Sequence, residues 1–150
     1  NFHYFPTDCP QREKNGWTAD AALSAEQLLL NFNPEKSYRE WQRNICKAQD
    51  ARGALPGIVP TGGWGFVWGN GPAWDSVLAY LPYFVYIYRG ETEMIRESAK
   101  AFMAYLHYLT TRVDEDGLIH IGQRFGFVLT QHIGYHCSLG ISIRKAHNNE

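Results

Sequence analysis

At 150 residues, 45% hydrophobic and 19% charged, the chain is long enough for one packed domain and too apolar to be compositionally disordered. Its formal net charge is −1 and its pI about 6.6, which leaves no basic field to attract nucleic acid or anionic lipid and suits a neutral ligand better. Cys9, Cys46 and Cys137 have neither metal nor redox spacing, and an odd count argues against a disulfide framework, so the compartment stays open between cytoplasmic and exported.

The first informative segment runs from Asp8 to Asp20 and holds three carboxylates (Asp8, Glu13 and Asp20), Arg12 and Trp17 just ahead of a helix. A sugar-cleaving pocket uses these groups: carboxyls protonate a leaving oxygen or bind hydroxyls, a guanidinium orients them, and an indole stacks on the apolar side of a sugar ring. The same residues also read as an ordinary helix start, with Thr18 as N-cap and Asp20 in the first turn, where the helix dipole favours an anion. Residues 18–32 are good helix formers, apolar on nearly every side, and predict a helix buried all round that Asn33-Pro34 ends.

From 35 to 51, Tyr38, Trp41, Ile45 and Ala48 recur at helical spacing between charged residues, which predicts a helix with one dry face. The twenty-odd residues after it, 52–72, are dense in Gly and Pro and carry Trp64, Phe66 and Trp68. Such a long loop is either an aromatic wall over a sugar site or a strap pinned to the domain by its aromatics. Residues 73–88 form a second nearly all-apolar helix, too short to cross a bilayer and predicted to kink at Pro82. Residues 91–112 are amphipathic again, with Met94, Ile95, Phe102, Tyr105, Leu106 and Leu109 on one side. Alternating buried and half-buried helices are what a two-layered helical ring requires, so the chain reads as all-α.

The order of motifs resembles a known family. Asp8-Cys9-Pro10-Gln11-Arg12-Glu13 with Gly16-Trp17-Thr18 and Asp20, then Gly53, Leu55-Pro56, Val59-Pro60, Gly71-Pro72-Ala73-Trp74-Asp75 and Gly90-Glu91, is similar to the bacterial α-L-rhamnosidases, which are inverting glycoside hydrolases. The resemblance covers residues 1–122 and implies about two hairpins of a partial (α/α)6 barrel, with rhamnose-containing glycosides or polysaccharides as substrates and no cofactor or metal. It places Glu13 as general acid and Asp8, Arg12, Trp17, Asp20, Trp74 and Asp75 as substrate-binding residues. For Glu13 to hold its proton, nearby negative charge from Asp8 and Asp20 is expected to help, and Arg12 is expected to face the sugar or Asp8. Asp75 departs from the family pattern, because the glycine that often separates Trp from Asp is missing, and one residue changes helix phase.

No residue matches the family's general base, a glutamate on a later inner helix. The resemblance therefore implies a piece of a catalytic domain, inactive alone, that needs the rest of that domain as its partner. After Gly122 both motif and periodicity stop, and 123–150 read as an aberrant or truncated tail. His132, His136 and Cys137 in it have no evident third metal ligand. Two other readings stay open: another (α/α)6 carbohydrate hydrolase, or a non-catalytic carbohydrate-binding module in which the tryptophans bind and the carboxylates only hydrogen-bond.

Overall fold

A computed structural model describes residues 2, 4–66, 71–115 and 117–119. Trp68 and the proposed tail, with His132, His136 and Cys137, lie outside the described residues.

Among the described residues five helices follow in chain order: α1 (Thr18–Asn31), α2 (Glu35–Ala48), the single turn α3 (Pro72–Asp75), α4 (Val77–Arg89) and α5 (Glu93–Thr110). They form two layers: α1 packs on α4 and α2 on α5, while α4 also touches α2 and α5, and α3 lies against α1. The core between the layers is closed by the helical spacing anticipated for α2, with Tyr38, Trp41 and Ile45 at most 1% exposed, and by Leu81, Val85 and Met94 opposite them. Each such aliphatic side chain contributes about 1.5–3 kcal/mol on burial.

Two polar devices tie the layers together. Proline cannot donate a backbone hydrogen bond, so Pro82 orphans the carbonyl of Leu78 one turn earlier. Gln42 of α2 supplies the missing donor: its Nε2 reaches Leu78 O at 3.0 Å and Ser98 Oγ of α5 at 2.9 Å. Helix α4 accordingly continues through Pro82, and the interruption in this region falls at Ser76, between α3 and α4. At the far end of α4, Arg89 donates to Leu29 O (2.6 Å) and Phe32 O (3.0 Å) and pairs with Glu35. The Arg89 cation suits the C-terminal ends of α1 and α4, and its partner Glu35 suits the N-terminus of α2.

Helices α1 and α4, which their composition reads as buried all round in a whole ring, are open on one side here, as two hairpins alone must leave them. Leu23 is 87% and Leu30 65% exposed on α1, and Tyr83, Tyr86 and Ile87 are exposed on α4, because no described element covers those faces. The long loop also divides. Ala54, Leu55, Ile58 and Val59 are buried and behave as core, while Trp64 beyond them is exposed and Phe66 half-buried. Gly53 permits the entry into this strap: its φ is +94°, and a Cβ there would lie 2.3 Å from Ala104 O.

Candidate functional site

The turn carrying the carboxylates is closed by short-range bonds. Asp8 N–H donates to Asn15 O and Asn15 N–H donates back to Asp8 Oδ1, both at 3.0 Å, so residues 8 and 15 clasp the turn at its base. Inside it, Lys14 N–H reaches Cys9 O at 3.2 Å, which Lys14 allows by taking a left-handed φ of 57°. The Cys9 thiol donates to Asp8 Oδ2 (3.0 Å) and accepts the Glu13 N–H (3.1 Å). Sequence reasoning gave Cys9 no part in the site, although its spacing of four from Glu13 is a local signal.

The turn is then fastened to the buried strap. Val59 N–H donates to Gly16 O and Thr18 N–H to Gly57 O, both at 2.9 Å, with Trp17 and Ile58 bridged between them. A Cβ on Gly16 would sit 2.0 Å from Val59 O, so only glycine lets the two backbones meet. Trp41 holds the strap from below, its indole N–H reaching Val59 O at 3.0 Å. The sequence reading of Thr18 as N-cap is corrected: Trp17 occupies that position, and the Thr18 hydroxyl donates to Gly57 O at 3.1 Å, drawn there by the strap.

On this platform Glu13, Trp17 and Arg12 meet. Glu13 Oε2 accepts the Trp17 indole N–H at 2.9 Å and Oε1 accepts Arg12 at 2.6 Å. Arg12 therefore faces Glu13 and not Asp8, contrary to expectation, because the two are chain neighbours on an exposed turn and the pair closes with no other movement. With the Arg12 side chain 81% exposed, this pair is solvent-screened and contributes little to stability.

Asp8, Glu13 and Asp20 share one field. The Asp20 carboxyl is pushed above its ordinary value by partial burial, then by the charges of Asp8 and Glu13, against its own backbone hydrogen bond. Asp8 goes the other way: burial opposes its charge, but hydrogen bonds from Cys9 and Asn15 outweigh it and hold the carboxyl below the usual range. Ligand atoms of Asp8, Cys9 and Glu13 lie within 4.8 Å of one another, so a cation would find three donors there but would compete with the bonds just described.

Trp74 and Asp75 belong to α3, which packs on α1. Trp74 is half-buried; Asp75 is 2% exposed, with Oδ2 accepting the Gly71 N–H at 2.9 Å and the carboxyl facing Tyr105 of α5. Burial pushes its pKa up to about 7 against those two interactions. Thus Asp8, Arg12, Glu13, Trp17 and Asp20 come together, whereas Asp75 is turned into the interior. Nothing in the sequence signalled Tyr105 as its neighbour, thirty residues on.

Comparison with known proteins matches residues 1–128 to the bacterial alpha-L-rhamnosidase 6 hairpin glycosidase domain. An alpha-L-rhamnosidase of Formosa agariphila is 29% identical over 119 residues, covering 76% of this chain and 12% of the relative. One from Streptomyces avermitilis is 28% identical over 128 residues, covering 84% and 12%. Among solved structures, alpha-L-rhamnosidase from Dictyoglumus thermophilum superposes with a TM-score of 0.71 at 32% identity, over 77% of this chain and 13% of that one. The Streptomyces avermitilis enzyme complexed with L-rhamnose gives 0.68 at 27% identity, over 73% and 11%. The fold is accordingly all-α, part of a six-hairpin (α/α)6 ring, and the chain spans only about an eighth of the length of the relatives it matches.

Proposed function

Since the chain belongs to the bacterial α-L-rhamnosidase six-hairpin glycosidase family, we propose that it is part of an inverting hydrolase that removes terminal α-L-rhamnose, with Glu13 as the general acid. The observation that carries this reading is the grouping of Asp8, Glu13 and Asp20 in one field beside the Trp17 indole. In the reaction, Glu13 gives its proton to the glycosidic oxygen as the bond to the anomeric carbon breaks. In the same displacement water adds from the opposite face and gives its proton to a carboxylate about 6.5–9.5 Å from the acid. Glu13 must first release one of its two donors, and Arg12 is the weaker hold because it is exposed. Asp8 and Asp20 bind sugar hydroxyls, Arg12 swings to the sugar, and Trp17 and Trp74 stack on the ring.

The second carboxylate is assigned to a hairpin beyond this sequence, so the 150 residues are inactive alone. The uncovered apolar faces of α1 and α4 support that reading: Leu23, Leu30 and Ile87 are each more than half exposed. They are suited to pair with the remaining hairpins of the ring. The solved relative holding L-rhamnose supports the choice of sugar.

One observation favours a binding module instead: both Glu13 oxygens are engaged by protein donors, as in a purely structural role. Glu13→Gln in a form extended through the rest of the ring separates the two. On a chromogenic α-L-rhamnoside, turnover should fall roughly 10²–10⁴-fold while rhamnose still binds. Unchanged turnover would remove Glu13 from the acid role, and a folded extended form that cleaves no glycoside would leave the binding module in front.

A further inference from the structure

Asp75 was grouped with the sugar ligands by resemblance, but its surroundings are those of a group acting through its neighbours. Its Oδ2 accepts the Gly71 N–H, and the Gly71 carbonyl in turn accepts the N–H groups of Trp74 (3.0 Å) and Asp75 (2.8 Å). Gly71 lies at φ +111°, in the region open to glycine, so the chain enters α3 by a turn that Asp75 closes from behind. Trp74 is thus carried on a backbone loop whose clasp is the Asp75 side chain.

The clasp is buried. Asp75 is 2% and Tyr105 5% exposed. Asp75 Oδ1 and the Tyr105 hydroxyl face each other, yet neither makes a hydrogen bond of ordinary geometry. A buried carboxylate oxygen left in that state is costly. The Tyr105 hydroxyl is the side-chain donor that acts on this carboxyl, and Oδ2 stays on Gly71.

We propose that Asp75 is a positioning residue and not a sugar ligand: buried behind the turn, its carboxyl clasps the Gly71 N–H, faces Tyr105 and so seats Trp74. The role rests on the reading of Trp74 as a sugar-stacking residue. Burial, the largest influence on the carboxyl, favours the neutral form, while Tyr105 and the Gly71 N–H favour the charged one, and the balance stands at about 7. Among the described residues, Tyr105 is the titratable group of α5 that acts on it, Tyr108 acts on Tyr105, and α1 and α4 supply no charge to it. The charge behind the Trp74 turn therefore changes near neutral pH, and the clasp on Gly71 transmits that change to the indole.

Fluorotryptophan incorporated into the full chain gives one fluorine NMR line per indole. The Trp74 line is identified by Trp74→Phe, and the buried Trp41 reports an intact core in the same spectrum. In the unaltered chain the Trp74 line should titrate with a midpoint near 7. Asp75→Asn, which keeps an acceptor for Gly71 and carries no charge, should abolish that titration and hold the line near its low-pH position. Asp75→Ala, which removes the acceptor for Gly71, should abolish the titration and move the line away from both positions. A midpoint that persists in Asp75→Asn, or a Trp74 line in the unaltered chain that ignores pH between about 5 and 9, overturns the proposal. The titration uses no sugar, so its outcome is independent of rhamnose hydrolysis or binding, which the Glu13 experiment reports.

Discussion

The turn at residues 8–17 and the hairpin of α4 and α5 solve the same problem, buried or crowded polar groups, in opposite ways. The turn satisfies its groups from within: Asp8 with Asn15, Cys9 with Asp8 and Glu13, and Glu13 with Trp17 all lie within seven residues. The hairpin borrows from far along the chain, Leu78 taking its donor from Gln42 and Asp75 facing Tyr105. A site that closes locally can be specified by a short motif. A hairpin that borrows is specified only by the assembled layers, and its polar groups report whether those layers are in register.

The sharpest test of that contrast is the pH dependence of stability. The folded Asp75 pKa of about 7 lies above its ordinary value of 3.8, so the folded state binds the proton more tightly. The Asp75 contribution to stability is therefore full below about pH 4, falls as pH rises toward 7, and is level beyond. The full span is on the order of 4 kcal/mol, an upper limit if the hairpin relaxes around the charge. Urea unfolding of Asp75→Asn across this range should lack the fall and be more stable than the parent at pH 8. Parallel curves for the two proteins would mean that Asp75 is solvated and the hairpin does not borrow as described.

A smaller effect is expected where α2 repairs α4. Gln42→Leu leaves the Leu78 carbonyl without its donor and should cost about 1–3 kcal/mol in urea unfolding. In a Pro82→Ala background the backbone N–H of residue 82 can reach Leu78 O, and the cost of losing Gln42 should shrink. The double-mutant cycle measures this coupling directly. Equal costs in both backgrounds would show that Gln42 acts through Ser98 alone.

The same division explains what was legible in the sequence. The helices of α2 and α5 could be read from period, because Tyr38, Trp41 and Ile45, or Met94, Tyr105 and Leu109, repeat at the spacing of one helix face. Local motif also grouped Glu13, Trp17 and Asp20. Period did not show which faces of α1 and α4 two hairpins leave open, since an all-apolar helix looks buried whether or not a neighbour covers it, and Leu23 is 87% exposed. It failed at Thr18 because the competing acceptor, Gly57 O, arrives from a strap 39 residues away. Arg12 was misplaced for the opposite reason: an exposed guanidinium takes the nearest carboxylate, and chain proximity to Glu13 outweighed the larger field of the cluster.

Asp8 should give the smallest effect and shows how a locally closed group behaves. Its carboxyl is held below the ordinary range by the Cys9 and Asn15 hydrogen bonds, so its contribution is full above the unfolded value near 4 and is lost as pH falls through the lower folded value. The group is only partly buried, and solvent screening keeps the gain below about 1 kcal/mol. Asp8→Asn should therefore lower the urea midpoint slightly at pH 7, and the difference should narrow as the pH is taken toward 3. This is the reverse of the Asp75 trend, because hydrogen bonds to the charged form dominate at Asp8 and burial dominates at Asp75. A deficit in Asp8→Asn that stays constant across the acid range would place the role of Asp8 in the shape of the turn and not in its charge. The field it shares with Asp20 would then have to be tested at Asp20 itself.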